Sequence, residues 1–216
     1  MAAAGRGEDS YEWRCGFDSG RPCLDLMAHR PVDTRWLAQW LPAAGLVPPG
    51  ARLGAPLDAH WAKRFTGLAD DIGALVRGEL DGRGRYDPAA LARLNALAAA
   101  APPAPRAVPG DGGRLVRSLC HPPDCAALLA AVARDTVELL TDPAARTRLR
   151  ECQGDACDRV FLDTSRGRRR RWCSSERCGN RERVARHRAR FPQRGPRNEE
   201  FSKDPGKKTP RKSRGS

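Results

Sequence analysis

The 216-residue sequence predicts an α+β chain: a mostly helical N-terminal domain with a small β-hairpin, then a compact cysteine-built module. Three observations predict it. Apolar residues recur at helical spacing through most of the first 148 residues. One glycine-rich turn, Gly110-Asp111-Gly112-Gly113, is flanked by short apolar runs. Two equally spaced cysteine pairs, Cys152/Cys157 and Cys173/Cys178, stand near the C-terminus. The length fits one domain with a small appendage. The expected divisions are 1–148 for the N-terminal domain, 149–191 for the cysteine module and 192–216 for a basic, disordered tail.

The elements follow in order. Residues 1–30 read as irregular, with Trp13, Phe17, Leu24 and Leu26 as anchors and a short strand at Cys23-Leu24-Asp25-Leu26. Asp33-Thr34 caps a helix bearing Trp36, Leu37, Trp40 and Leu41, which Gly45 stops. A longer helix carries Trp61, Phe65, Leu68, Ile72, Leu75 and Val76, and Gly82-Arg83-Gly84 breaks it. Asp87-Pro88 reads as N-cap and first helical residue of the next, with Leu91, Leu94 and Leu97 on one side. Ala107-Val108 and Leu115-Val116 form the hairpin around the glycine-rich turn. Asp124 caps a helix with Leu128, Leu129, Val132, Val137 and Leu140, and Asp142-Pro143 opens a last short turn.

Charge divides the chain. The net formal charge is +13. Residues 1–149 hold 18 basic and 17 acidic residues, a net of +1; residues 150–216 hold 21 and 9, a net of +12. An electrically balanced domain followed by a strongly basic module is the pattern of a polyanion binder. The longest apolar run, Cys125–Ala133, is too short for a membrane span. The N-terminal residues have no apolar stretch ahead of their acids, so a secretory signal is not expected and a cytoplasmic, nucleoid-associated protein is. Eight cysteines in that setting read as thiols or metal ligands rather than disulfides.

The two C-x4-C pairs are separated by fifteen residues. Two short loops each offering two thiolates suit a tetrahedral zinc ion, and four protein ligands leave no open position, so one structural zinc is expected. The surrounding arginines would favour thiolates. Between the pairs, Arg159–Leu162 and Arg168–Trp172 read as two strands about a turn, with Phe161, Leu162 and Trp172 as a small core. Trp172 reads as core rather than as a base-stacking platform. A helix follows over Asn180–Arg190, with Val184 as its apolar contact to the hairpin and Pro192 ending it. Arg183, Arg186 and Arg190 share one face with His187 beside them; Arg181 and Arg188 lie elsewhere. Knuckle, hairpin and helix make the outline of a treble clef.

Cys178-Gly179-Asn180-Arg181, with Phe161-Leu162-Asp163-Thr164-Ser165 and Arg171-Trp172-Cys173 before it, resembles the bacterial CGNR zinc-finger family. In that family the finger follows an ABATE domain, and the helix, hairpin, helix order upstream is consistent with one. The resemblance implies a stress-induced transcription regulator whose treble-clef-like finger binds DNA, with Cys152, Cys157, Cys173 and Cys178 as zinc ligands. It covers about residues 150–190 in the finger. The chain departs from the family by carrying Met27-Ala28-His29 where an Asn-Thr pair is common.

Function follows from the basic residues. Arg168, Arg169, Arg170 and Arg171 lie in an acid-free stretch, and Arg181, Arg183, Arg186, Arg188 and Arg190 crowd the helix with only Glu182 among them. A guanidinium fork pairs bidentately with phosphate or a guanine edge, and a three-turn helix fits a major groove. The expectation is a zinc-dependent, non-enzymatic regulator of duplex DNA. Its N-terminal domain would sense a small-molecule or protein signal, or dimerise. RNA binding, or a thiol-based redox or zinc sensor, is the alternative. Cys120-His121-Pro122-Pro123-Asp124-Cys125 repeats the C-x4-C spacing, and Cys15 and Cys23 could complete a second metal site or a redox pair, but isolated thiols are the preferred reading. His29 and His60 are lone, and no nucleophile–base motif accompanies them.

Overall fold

The computed structural model describes residues 19–29, 32–82, 84–155 and 157–190. Trp13, Phe17, Cys15 and the tail lie outside the described residues. Among the described residues, seven α-helices and two antiparallel two-stranded sheets run in the order α1 (Pro22–Ala28), α2 (Thr34–Ala43), α3 (Ala59–Leu80), α4 (Pro88–Ala99), β1 (Pro105–Pro109), β2 (Leu115–Leu119), α5 (Cys125–Thr141), α6 (Pro143–Arg146), β3 (Leu149–Glu151), β4 (Val160–Leu162) and α7 (Asn180–Arg190).

Aspartates start most of the helices. The N–H of Trp36 donates to Asp33, that of Trp61 to Asp58, that of Ala89 to Asp87, that of Ala127 to Asp124 and that of Ala144 to Asp142, at 2.7–3.0 Å. Each bond satisfies an N-terminal amide that the helix cannot pair internally. The expected hairpin forms, with Val108 opposite Val116.

The expected strand at Cys23–Leu26 is a helix instead. Pro22 takes a first-turn position, where its missing N–H costs nothing. The cap comes from far away in sequence: the Cys23 N–H donates to Asp135 of α5 at 2.9 Å, and Arg21 pairs with the same carboxylate at 2.8 Å. Cys23, Leu24, Leu26 and Met27 are all buried, so a four-residue alternation could not separate strand from buried helix.

α3 and α5 form the centre of the core. Phe65, Leu68, Ile72 and Leu75 of α3 meet Leu128, Leu129, Val132 and Leu139 of α5, with Leu24, Leu26, Trp36 and Trp40 from α1 and α2. Asp71 of α3 receives a bidentate Arg93 from α4, and Arg134 of α5 donates to the carbonyls of Ala98 and Ala100 at the end of α4. Leu91 is 40% exposed; Ala90 and Leu94 are the buried positions of α4.

The β3–β4 sheet joins the cysteine module to this core. Its register pairs Leu149 with Leu162, Arg150 with Phe161 and Glu151 with Val160. Strand alternation then sends Leu149, Val160 and Leu162 into the helical core, while Phe161 packs with the cysteines on the other face. Leu162 therefore belongs to the large core rather than to the finger's own. The Leu162 N–H donates to the Ser19 carbonyl at 2.7 Å. Gly20 makes that approach possible: its φ is +85°, and a side chain there would come within 3.2 Å of Leu162. Among the described residues no helix is long and apolar enough to cross a membrane.

Candidate zinc centre and nucleic-acid interface

β3 ends just before Cys152, and a tight knuckle returns the chain through Cys157. The strand expected over Arg168–Trp172 does not form; β4 pairs with β3 instead, and residues 163–173 make an irregular loop. Cys173 follows that loop. One wide π-helical turn, Ser175–Gly179, carries Cys178 to the start of α7, with Ser174 accepting the Arg177 N–H at 3.2 Å.

These segments bring the four thiols together. Their sulfurs all lie within 4.8 Å of one another, with Cys157–Cys173 at 3.7 Å and Cys173–Cys178 at 3.6 Å. Four sulfurs at about 2.3 Å from one tetrahedral zinc would stand about 3.8 Å apart. A disulfide needs about 2.05 Å, and these cysteines are free. The donor set and spacing fit one structural zinc ion. Gly154 keeps the knuckle close: a side chain on it would meet the Cys178 Cβ at 3.1 Å.

At Cys173 and Cys178 burial, rather than the surrounding arginines, is the largest influence on the thiol. Burial pushes Cys173 far up, and the thiols of Cys178 and Cys152 push it further. Cys178 is raised mainly by burial. Cys152 is buried too, yet falls below the ordinary thiol value because the amides of Cys173 and Gly154 point at its sulfur. The Cys173 N–H stands 3.3 Å from it. Crowded thiols cannot all ionise alone; a divalent ion supplies the charge that lets them.

Asp163 organises the loop, and sequence reasoning did not give it this role. It is only 1% exposed. One oxygen accepts from the Ser165 N–H at 2.9 Å and its hydroxyl at 2.6 Å; the other accepts from the Arg170 N–H at 3.0 Å. The Asp-x-Ser spacing was the available signal, since aspartate so placed makes an Asx turn. Burial alone would raise this carboxyl, but the Ser165 hydroxyl and amide, the Arg170 amide and the Arg150 charge together hold it below the usual carboxylate range. Its stabilisation is therefore complete above pH ~4 and disappears as pH falls through the lower folded value. Asp163→Ala is expected to cost about 3 kcal/mol in urea unfolding. Asp163→Asn should flatten the acid limb of the stability profile below pH ~4. A wild-type acid limb in that variant would contradict the assignment.

The nine arginines singled out in the sequence divide by environment. Arg170 turns inward: its guanidinium donates to the carbonyls of Trp172, at 3.0 Å, and Cys173, and lies 4.5 Å from the Phe161 ring centre. Arg183 is exposed but reaches back to the carbonyls of Gly179 and Ser175 at 3.2 and 3.3 Å, bracing the π turn. Arg168, Arg169 and Arg171 are exposed on the loop, and Arg181, Arg186, Arg188 and Arg190 on α7. Arg183, Arg186, His187 and Arg190 line one open groove of about 260 Å³. Val184 is 48% exposed, so it does not anchor α7 to the sheet.

Among the described residues no second group of three or more metal-ligating side chains lies together. Cys120 is exposed, while Cys23 and Cys125 are buried thiols. His29 stacks on Trp36 at 4.3 Å.

Comparison with known families matches residues 148–191 to the CGNR zinc finger and residues 20–143 to ABATE, described as "Putative stress-induced transcription regulator". A search of curated proteins returned no match. The two family matches and the four-thiol cluster describe a zinc-binding regulator. The ABATE match spans more than half of the chain, which therefore belongs to the ABATE family and carries a CGNR zinc finger after its helical domain.

Proposed function

We propose that the protein is a zinc-dependent transcription regulator that binds duplex DNA through α7 and the 164–171 loop, without catalysis. The observation that carries this reading is the exposed cationic surface of α7. Arg181, Arg186, Arg188 and Arg190 all face solvent there, and the groove beside them is lined only by arginine and histidine. A surface helix braced by its own ion pairs would hold acids in similar number, and α7 has one, Glu182. Glu182 instead accepts the Asp155 N–H at 3.2 Å, tying α7 to the knuckle.

The zinc's contribution is positional: it fixes the knuckle, the loop and the start of α7 as one unit. Arg170 and Arg183 hold that unit closed. Arg168, Arg169, Arg171, Arg181, Arg186, Arg188 and Arg190 are the groups left to meet phosphates and base edges. The N-terminal domain would carry the signal response or self-association, and the division of the chain at residues 148 and 191 belongs to this proposal, as does a cytoplasmic, nucleoid-associated location.

The test is selection of bound sequences from a random duplex library by the zinc-loaded full chain, with an RNA pool and a chelated sample alongside. Enrichment of a duplex motif only in the zinc-loaded sample is the expected result. Equal retention of DNA and RNA without a motif would overturn sequence-specific regulation, and preferential retention of RNA would replace duplex DNA as the partner.

A further inference from the structure

Trp172 does more than fill the finger. Its half-buried indole packs beside Phe161 and the ligand thiols on one side. The Gly179 backbone at the start of α7 lies beside the ring: a Cβ built there would stand 3.6 Å from the indole, at ordinary contact distance. The indole Nε1 is buried and has no hydrogen-bond partner among the described residues, so packing rather than a polar anchor sets the ring's place.

Two guanidinium groups gather on this ring. That of Arg171, from the loop, lies 5.3 Å from the ring centre, and that of Arg186, from the second turn of α7, lies 5.9 Å away. Gln153 of the knuckle accepts the Arg171 Nε–H at 2.6 Å, which orients the Arg171 guanidinium. Each cation is drawn to the aromatic face. The two cations repel each other, and an anion bound by both removes that repulsion.

We propose that Trp172 is a positioning residue for phosphate recognition. It holds Arg171 and Arg186 on one aromatic platform, so that loop and helix grip the same backbone strand together. The inference rests on the DNA-binding reading above, and the group it recognises is the phosphodiester, not a base. Arg→Lys at either position would lose the flat, stacking guanidinium while keeping the charge.

The test is a salt titration of the zinc-loaded full chain on a mixed-sequence duplex. Each phosphate contact contributes about 0.9 to the slope of log affinity against log salt. Trp172→Leu is expected to retain one zinc per chain, lower the slope by about 1.8 and weaken binding about thirtyfold at 0.15 M salt. Trp172→Phe should restore most of the loss. The Arg171→Gln/Arg186→Gln double variant should lose as much, and adding Trp172→Leu to it should change nothing further. A wild-type slope in Trp172→Leu, or a full additional loss on the double variant, would overturn the platform. If Trp172→Leu does not load zinc, the cycle between Arg171→Gln and Arg186→Gln decides: coupled losses support the platform, and independent losses overturn it. Failure of the wild-type chain to bind duplex would overturn the DNA reading and the platform together; wild-type binding with an unaltered Trp172→Leu slope would overturn the platform alone.

Discussion

Removing the zinc, by chelation or by Cys173→Ser, is expected to unfold the finger and to weaken the helical domain as well. The first effect follows from size. A module of about forty residues buries too little apolar surface to fold alone, so metal binding supplies much of its folding free energy. Cys173 is the buried thiol that contacts both Cys157 and Cys178, and serine there is a poor zinc ligand. The second effect follows from the sheet. Leu149, Val160 and Leu162 belong to the same core as α3 and α5, and loss of β3–β4 order uncovers them. Each fully buried aliphatic side chain is worth about 1.5–3 kcal/mol. Partial exposure of three should cost the helical domain about 3–5 kcal/mol, or about 10–15 °C in Tm at this chain length. Calorimetry of the zinc-loaded and chelated full chain checks it. A helical-domain transition that does not move on chelation would show that the sheet is a passive tether.

The second large effect concerns affinity. Replacing Arg181, Arg186, Arg188 and Arg190 together with Gln is expected to leave zinc content unchanged and to lower Tm by no more than the loss of the Arg186–Trp172 contact, since all four side chains are exposed. Duplex binding should fall about a thousandfold at 0.15 M salt, and the salt slope should drop by about 3.6, at about 0.9 per phosphate contact. Arg183→Gln is the informative contrast. Its guanidinium braces the π turn, so its loss should lower stability before it lowers the slope. A quadruple variant that binds as well as wild type would remove α7 from the interface.

Much of the fold was legible because its signals are local. Asp33, Asp87-Pro88, Asp124 and Asp142-Pro143 each mark a helix start by a bond within three residues. The four-cysteine cluster was legible for the same reason: each pair lies in one short stretch, and spacing carries the information. What could not be read locally depended on partners distant in sequence. α1 is capped by Asp135, more than one hundred residues away. β4 pairs backward with β3 rather than forward with Arg168–Trp172, because Asp163 turns the following loop and Arg170 closes it onto Phe161. Leu162 looked like finger core, and pairing opposite Leu149 assigned it to the helical core instead. Counting arginines marked the basic surface but could not separate those that hold the finger, Arg170 and Arg183, from those that face solvent.

In the function proposed above, zinc assembles a cationic surface that binds duplex DNA. The most direct measurement is the affinity of the full chain for a mixed-sequence duplex across 50–200 mM salt, with and without chelator. A straight fall of log affinity with log salt is expected, about 10³-fold or more across that range for six or more phosphate contacts, with loss of binding on chelation. A shallow slope, or the same affinity without zinc, would contradict it.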